Sequence, residues 1–405
     1  MQDTKLFQLA LGLSDPWQVT DCRLDLEQEC LNIDVDFIRG STFGCPKCAA
    51  KGCGAYDTEW RTWRHLNCFQ YKTYLRARVP RVQCEKCGIR LVTVPWSRPG
   101  SGFTLLFEAL VMMLVKDMPV QAAARIVGEH DTRLWRVLEH YVEAARDQAD
   151  YPLTQAIGVD ETSIRRGHNY VTLFVDLEQS KVLFATPGKN AATVDEFKLD
   201  MLVHWGQPKA VGEFCCDMSP AFIKGIEANF PEAELTFDKY HVMKIINEAV
   251  DEVRRQEQLE RIELKGSRYA WLTNPENQTA KQSELIQRLL VSRLNLKTVR
   301  AYHIRLNFQE LWDQTPQTAE AFLKGWYFWA THSQLKPIIA AAATIKRHWD
   351  GILRWFKSKV NNGILEGINS IVQAVKARAR GYRTMRNLIT MIYLIAGKLT
   401  FDLPT

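Results

Sequence analysis

Two Cys-x-x-Cys pairs lie in the first quarter of the chain. A pair with this spacing directs two thiolates toward one point, and two pairs complete the tetrahedral sulfur set that Zn²⁺ prefers. The sequence therefore predicts a structural zinc site, and the alternative is a group of buried, reduced thiols. The four predicted ligands are Cys45, Cys48, Cys84 and Cys87.

The interval between the two pairs is longer than in most zinc ribbons and contains competing ligands. Residues 60–65 and 71–78 within it predict the two strands of a hairpin, which accounts for the extra length. Its alternating basic and aromatic residues suit phosphate contact and base stacking, although an ordinary solvated strand has the same pattern. The competing ligands are Cys53, Cys68 and His65, and the basic residues predicted to bind DNA are Arg61, Arg64, Arg76 and Arg78.

Carboxylates follow two apolar runs in the middle of the chain. Asp160 closes the run from Ile157, and Asp217 closes the run from Ala210. Both runs predict strands, and we expect Asp160 near the end of its strand, at the edge of the sheet, where it can ionise. The alternative for each aspartate is a turn cap. A third carboxylate lies on a predicted amphipathic helix: Glu366, with Asn362, Asn369, Ser370, Gln373 and Arg380 on its side and Ile364, Ile368, Ile371 and Val375 opposite.

The elements around these aspartates have a recognisable order. Three β-branched and aromatic runs at 157–163, 169–176 and 181–185 predict adjacent strands. A helix at 193–205, a strand at 210–217, a helix from 218 and a strand at 233–238 follow. This β-β-β-α-β-α-β order fits the ribonuclease-H-like fold, in which carboxylates from neighbouring strand ends meet.

Three closely spaced helical patterns follow the cysteine region. The first covers residues 104–116, the second begins at Pro119 and ends at Gly128, and the third begins at Asp131. A short helix, a glycine turn and a third helix with outward arginines predict a helix-turn-helix, whose second helix enters the major groove. Arg133 and Arg136 are its predicted DNA contacts, and a generic three-helix bundle is the alternative.

Composition and length set limits on the class of protein. The 405 residues exceed one ordinary domain, and 46% hydrophobic residues allow substantial cores. A net charge of +6 permits a nucleic-acid partner without requiring one. Ten cysteines without an export signal indicate a reducing compartment, and no apolar run is long enough to span a bilayer. We expect a soluble, cytoplasmic protein.

The order and spacing of several motifs resemble those of the zinc-finger-bearing DDE transposases of the bacterial ISL-three insertion-sequence family. The resemblance runs from about residue 40 to about residue 390. It includes Asp238-x-x-His241, similar to a motif that follows the second aspartate in several transposase groups. The other motifs are Cys45-Pro-Lys-Cys48, Cys84-Glu-Lys-Cys87, Gly158-Val-Asp160-Glu-Thr-Ser163, Cys216-Asp217-Met-Ser219-Pro and Asn362-Gly-Ile-Leu-Glu366-Gly-Ile-Asn369.

The resemblance implies that Asp160, Asp217 and Glu366 are a catalytic triad that holds two Mg²⁺ ions, or Mn²⁺. Such a site cleaves DNA at the terminal inverted repeats of the element and joins 3′ ends to target DNA. The implied partner is double-stranded DNA, bound by a homodimer or higher homo-oligomer. Further predicted DNA contacts are His241, for which a core role is equally open, and Lys376 and Arg380.

Two other functions remain open from the sequence: a ribonuclease-H-like, structure-specific nuclease that never rejoins DNA, and a non-enzymatic DNA-binding regulator. Glu161, Glu213 and Asp238 are rivals of Glu366 for the third catalytic position. The predicted fold class is a multi-domain α/β protein with a ribonuclease-H-like catalytic core. Its predicted parts are an N-terminal segment at 1–40, a zinc-binding module at 41–97, a helix-turn-helix at 103–150, a catalytic domain at 151–240 and 350–395, and a helical insertion at 241–349.

Overall fold

The computed structural model describes residues 3–152, 154–163, 170–291, 296–358 and 363–403. Asn169 and Asn362, which belong to the predicted strand and helix above, lie outside these ranges. The chain divides into two compact units. The N-terminal unit contains residues 1–145 and 400–405, and the C-terminal unit contains residues 146–399.

The N-terminal unit is built on a six-stranded sheet with the order β1-β2-β5-β4-β3, in which β6 also pairs with β5. Residues 60–65 and 71–78 belong to β4 and β5, a long antiparallel hairpin, as the sequence predicts. The buried side chains of β5 alternate with more exposed ones, as expected for a strand with one face on a core. The unit begins with helix α1 (Asp3–Ala10), followed by β1 (Trp17–Asp25), β2 (Cys30–Phe37), β3 (Thr42–Phe43), β4 (Cys53–Cys68), β5 (Tyr71–Cys84) and β6 (Gly88–Leu91).

The first forty residues share this sheet with the cysteine hairpin. Strand β2 pairs in parallel with β5, and β1 pairs with the free edge of β2. Trp17 and Trp96 pack edge to face at 5.0 Å, in the same apolar core as Trp63. The sequence predicts a separate segment here because β1, with polar residues at most positions, has little strand character of its own.

Three helices complete the N-terminal unit. Thr104 caps the first of them, since its side chain accepts a hydrogen bond from the Phe107 N–H. Gly128 ends the second in the left-handed conformation, with φ of 69°. The predicted three-helix pattern is therefore present: α2 (Leu105–Asp117), α3 (Val120–Val127) and α4 (Asp131–Asp147), whose last two residues fall in the C-terminal unit.

The C-terminal unit contains a five-stranded sheet with the order β11-β10-β7-β8-β9. Strands β8 and β9 continue from β7 as an antiparallel meander, whereas β10 and β11 run parallel to β7. The β-β-β-α-β-α-β order predicted from the sequence is present, with shorter fourth and fifth strands. The elements are β7 (Ala156–Ser163), β8 (Tyr170–Asp176), β9 (Lys181–Pro187), α5 (Ala192–Val203), β10 (Glu213–Cys216), α6 (Pro220–Asn229) and β11 (Glu234–Phe237).

Helices form the rest of the C-terminal unit. One apolar core runs from the sheet into these helices, and Trp271 and Trp326 are among its fully buried side chains. Between 241 and 349 the described residues contain helices and no strand. These helices are α7 (Lys239–Gln258), α8 (Arg268–Leu272), α9 (Ala280–Val291), α10 (Lys297–Gln309), α11 (Ala319–Thr331), α12 (Lys336–Arg347), α13 (Trp349–Ser358), α14 (Gly363–Arg378) and α15 (Met385–Ala396).

Among the helices of the described ranges, none is both long and apolar enough to cross a membrane.

Candidate zinc site and acidic site

The four predicted zinc ligands converge in the N-terminal unit. The Sγ atoms of Cys45, Cys48, Cys84 and Cys87 all lie within 4.8 Å of one another. The first pair follows β3, and the second closes the turn from β5 into β6. The residue after each pair is left-handed, with φ of 59° at Ala49 and 71° at Gly88, so both pairs turn back on themselves in the same way. Four sulfurs in one group fit the tetrahedral coordination of Zn²⁺.

The pKa values of two of these thiols are shifted in opposite directions. Hydrogen bonds from the backbone N–H groups of Cys48 and Lys47 lower the pKa of Cys45 to about 6. Hydrogen bonding with Cys48, together with burial, raises the pKa of Cys87 to about 12. Cys45 therefore ionises at a lower pH than Cys87, and binding of Zn²⁺ must displace the protons that remain.

The competing ligands lie outside the group of four. Burial raises the pKa of Cys53, and the nearby thiols of the cluster raise it further. The Sγ of Cys53 contacts the carbonyl oxygen of Ala50 and is not part of the group of four. His65 Nδ1 lies 2.9 Å from the Thr104 hydroxyl, and burial lowers the pKa of His65 to about 4, so its ring is neutral. Cys68 pairs with Tyr71 at the closed end of the hairpin.

Asp160 lies in the central strand of the second sheet. It is the fifth of the eight residues of β7, pairs with Leu173 of β8, and is partly buried. The expectation of a strand end at the edge of the sheet is therefore wrong, because the apolar run continues into a polar second half that still pairs with β8. On the other side of β7, pairing with β10 ends at Gly158, so Asp160 lies just beyond the neighbouring strand.

Asp217 follows β10 directly, as predicted. Cys215 is opposite Gly158, and Cys216 is opposite Phe237. Extended along the parallel strands, this register places Asp217 level with Asp160 on one side and with Asp238 on the other. Neighbouring strands are about 4.8 Å apart, so the three aspartates lie side by side across three adjacent strands, Asp160 within β7 and the other two directly after β10 and β11.

These aspartates share one electrostatic environment. Burial raises the pKa of Asp160, and the negative charges of Asp217 and Asp238 raise it further, whereas the N–H of Glu161 opposes the shift. Asp238 is itself buried, and its Oδ2 accepts a 2.8 Å hydrogen bond from His241 Nδ1. That bond raises the pKa of His241, so a cationic imidazolium is favoured beside the carboxylates.

Helix α14 lies against the polar half of β7. Leu365 packs on Gly158, Asn369 donates to Asp160 Oδ2, Gln373 donates to the Thr162 hydroxyl at 2.6 Å, and Lys376 donates to the Ser163 carbonyl at 2.7 Å. Helical periodicity predicts Asn369 on the Glu366 side of α14, but it indicates no function for this residue. It also placed Ile371 on the apolar face, yet Ile371 is exposed, and the buried residues are Leu365, Ile368 and Val372.

Glu366 is exposed in the first turn of α14. Together with Asp238, Arg305 and Trp355 it lines a cavity of about 480 Å³. Asp160, Asp217 and Glu366 do not form a group with all ligand atoms within 4.8 Å, since the cysteines are the only such group of three or more within the described ranges. The structure therefore aligns Asp160, Asp217 and Asp238 across three adjacent strands and places Glu366 on the helix that packs against β7.

One of the arginines predicted to bind DNA is buried. Arg64 is 1% exposed, donates to the carbonyls of Thr73 and Val127, and pairs with Glu129. The prediction for Arg64 is corrected: a strand pattern cannot show that a later helix covers this side chain. Lys72 is also close to this turn, with its Nζ 3.4 Å from the Gly128 carbonyl.

The other basic residues of the hairpin remain at the surface. Arg61 is exposed and pairs with Glu59. Arg78 is partly exposed and pairs with Asp36 at 2.8 Å, and Arg76 lies over the Trp60 ring at 5.6 Å.

The two arginines of α4 differ in their surroundings. Arg136 is exposed, as predicted. Arg133 lies over the ring of Phe103 at 4.1 Å and pairs with Glu129, so it is held against the unit. Near the end of the chain, Arg380 is exposed just after α14.

Comparisons with known proteins agree with these features. A family model described as "Transposase" matches residues 157–392, more than half of the chain. A model described as "zinc-finger of transposase IS204/IS1001/IS1096/IS1165" matches residues 41–87, which contain all four clustered cysteines. A third, "Helix-turn-helix domain of transposase family ISL3", matches residues 92–142, which contain α2, α3 and most of α4.

Two full-length relatives support the same assignment. The transposase for insertion sequence element IS1001 of Bordetella parapertussis is 30% identical, over 84% of this chain and 85% of that protein. The transposase for insertion sequence element IS1557 of Mycobacterium tuberculosis is 26% identical, over 98% of this chain and 96% of that protein. On these grounds the chain belongs to the ISL3 family of insertion-sequence transposases.

Proposed function

We propose that this transposase binds the terminal inverted repeats of its insertion sequence, cleaves DNA at the ends and joins the 3′ ends to target DNA. The observation that carries the proposal is the alignment of Asp160 and Asp217 on adjacent parallel strands, with the helix of Glu366 against the same strand. The strand order β11-β10-β7-β8-β9 supports a ribonuclease-H-like core for this chemistry.

The residues present fit divalent cations. Asp160, Asp217 and Glu366 offer hard carboxylate oxygens, and the repulsion between Asp160 and Asp217 is the kind that a cation relieves. Two Mg²⁺ ions, or Mn²⁺, would supply activation of the attacking hydroxyl and stabilisation of the leaving oxygen. The chain itself orients Asp160 through Asn369 and the Glu161 N–H, and we assign His241 to contact a phosphate of the substrate.

Recognition of the ends is assigned to the N-terminal unit. Arg136 would reach the major groove from α4, with Arg133 beside it, and a structural Zn²⁺ would hold the open end of the hairpin. Surface arginines of the hairpin would contact phosphates, as would Lys376 and Arg380 at and just after the C-terminal end of α14. Proposed DNA contacts from the hairpin are Arg61, Arg76 and Arg78.

The test is cleavage and joining of end-labelled DNA that carries the repeats flanking the gene. We expect Asp160→Asn, Asp217→Asn and Glu366→Gln each to lower both activities at least about 100-fold, since metal-ligand loss removes several kcal/mol of transition-state stabilisation. Binding of the ends should stay near normal. Glu161→Gln is the matched control, and a larger loss in that variant than in Glu366→Gln would identify Glu161 as the third ligand.

The same experiment separates the alternative functions. Cleavage without joining would indicate a nuclease, and end binding without metal-dependent cleavage would indicate a regulator. Light scattering of the protein–DNA complex tests the proposed homodimer or higher oligomer.

A further inference from the structure

We infer that Asn369 is a positioning residue of the acidic site formed by Asp160, Asp217 and Glu366. Asn369 fixes the Asp160 carboxylate for metal binding, and this inference rests on the proposed function. Asn369 Nδ2 donates to Asp160 Oδ2, and the backbone N–H of Glu161 donates to Asp160 Oδ1 at 2.7 Å. Both carboxylate oxygens are therefore held from the protein side, and their remaining lone pairs stay free for a ligand.

The contact follows from a register between helix and strand. Leu365, Asn369 and Gln373 are spaced by four residues on α14, and they contact Gly158, Asp160 and Thr162, which are spaced by two on β7. Four helical residues rise about 6 Å, and two strand residues rise about 6.6 Å. Because the two repeats nearly match, one face of α14 follows one face of β7 over three successive contacts.

Gly158 makes this approach possible. A Cβ atom at that position would lie 2.8 Å from both Cγ and Cδ1 of Leu365. A larger residue would move α14 away from the strand, and Asn369 would lose its reach to Asp160. The glycine thus belongs to the same arrangement as the amide.

The chemistry of an amide suits this position. A lysine or arginine at the same place would neutralise Asp160 and repel an incoming divalent cation. Asn369 donates a hydrogen bond and adds no charge, so the carboxylate is oriented while its charge is kept. The Oδ1 of Asn369 is buried and has no hydrogen-bond partner among the described residues. This oxygen, on the same carbon as the donating nitrogen, could accept a hydrogen bond from a metal-bound water.

The test is Mn²⁺ binding by the full chain, measured by electron paramagnetic resonance of the free ion. Loss of a residue that orients a metal ligand typically weakens the site about 10- to 100-fold, and we expect a loss of that size for Asn369→Ala. Ser370→Ala, an exposed neighbour on the same helix, is the matched control and should bind within about twofold of wild type. If Asn369→Ala does not fold, Asn369→Ser removes the amide and keeps a small polar side chain.

A second readout separates positioning from general destabilisation. Without the amide donor the ionised form of Asp160 is less favoured, so the pH at which half of the Mn²⁺ is bound should move upward in Asn369→Ala. The other titratable groups around Asp160 are Glu161 on β7, Asp217 after β10, and Asp238 and His241 at the start of α7.

The outcomes are distinguishable. If wild type binds Mn²⁺ through Asp160, shown by loss in Asp160→Asn, but Asn369→Ala has unchanged affinity and midpoint pH, this inference is overturned and the proposed function stands. If wild type has no Mn²⁺ site that depends on Asp160, both are overturned. Weaker binding with a raised midpoint supports the inference.

Discussion

The two candidate metal sites are held together in different ways. In the N-terminal unit four cysteines converge, and the Sγ atoms of Cys48 and Cys84 are 3.6 Å apart. In the C-terminal unit Asp160 within β7 and Asp217 directly after β10 are level with each other, with Glu366 on a neighbouring helix.

The difference reflects charge. A protonated thiol such as Cys87 can pack beside the Cys45 thiolate and donate a hydrogen bond to it, so the turns can gather these sulfurs closely. Ionised carboxylates repel one another, and each needs a donor of its own. Asp160 has Asn369 and the Glu161 N–H, and Asp217 has the N–H of Ser219 at 3.0 Å. Thiols that still carry protons can be gathered around a thiolate before the metal binds, whereas neighbouring carboxylates each need support of their own.

Loss of a cysteine ligand should have the largest effect. Cys84→Ser removes one thiolate of four, and we expect loss of bound zinc, whose binding free energy in small zinc modules is on the order of 10 kcal/mol. The core of the unit contains Trp17, Trp63 and Trp96, so the sheet should persist while its open end becomes protease-sensitive. Metal analysis and limited proteolysis of the full chain measure both.

Cys53→Ser is the control for this prediction. Cys53 is adjacent to the cluster but outside it, so the variant should keep one equivalent of zinc. Retention of zinc by Cys84→Ser together with its loss from Cys53→Ser would show that Cys53 is the true ligand.

Arg64 tests whether a buried charge in the N-terminal unit also needs hydrogen-bond partners of its own. Arg64 depends on its ion pair with Glu129 and on the carbonyls of Thr73 and Val127. Arg64→Met should lower the free energy of unfolding by about 3 kcal/mol, because buried polar partners are left without a donor. Chemical denaturation measures the change. Arg61→Met, at the exposed surface, should change it by less than about 0.5 kcal/mol, and equal effects would contradict the burial argument.

Close packing of α14 on β7 can be loosened at Gly158. In Gly158→Ala the new Cβ would lie 2.7 Å from Leu177 Cδ2 and 2.8 Å from Leu365 Cδ1, and overpacking of this kind costs about 1–3 kcal/mol. Thermal unfolding should show the loss, and adding Leu365→Ala should recover part of it. Gly212→Ala is the control, because no other described atom lies within 4 Å of its ideal Cβ. An equal loss in both variants would point to glycine flexibility instead.

The smallest effect concerns pH. Burial raises the pKa of Asp160 above its ordinary value of 3.8 in the folded protein. A raised carboxyl pKa contributes stability below the ordinary value, and that contribution is lost as the pH rises through the folded-state pKa. Metal-free Asp160→Asn should therefore gain melting temperature relative to wild type as the pH rises from about 4 to 7. If the difference in melting temperature between Asp160→Asn and wild type does not change with pH, the hydrogen-bond donors of Asp160 stabilise its carboxylate as fully as water does.

Features with a local cause could be predicted from the sequence. The Cys-x-x-Cys pairs, the glycine at the end of α3 and the β-branched runs of β7 and β8 each contain their own signal. Strand β1 does not, because its polar residues become a strand only by pairing with β2.

Features that depend on distant residues could not be predicted. The burial of Arg64 depends on the carbonyl of Val127, 63 positions later in the chain. The contact between Asn369 and Asp160 joins residues 209 positions apart. Helical periodicity shows which residues share a side of α14, but it does not show which side turns toward the sheet, and here Asn369 faces Asp160 while Glu366 is exposed.

The contacts of Arg64 and Lys72 with the turn after α3 tie the hairpin to the three helices. A chimera that transfers only the three helices would leave the carbonyls of Val127 and Gly128 facing a hairpin from another protein. Gly128 has a φ of 69°, which is strained for other residues, and a Cβ there would lie 2.9 Å from Lys72 Cε, so the lysine would have to move. Hairpin and helices are therefore matched to each other, and under the proposed function a chimera with altered end recognition would need both from the same parent protein.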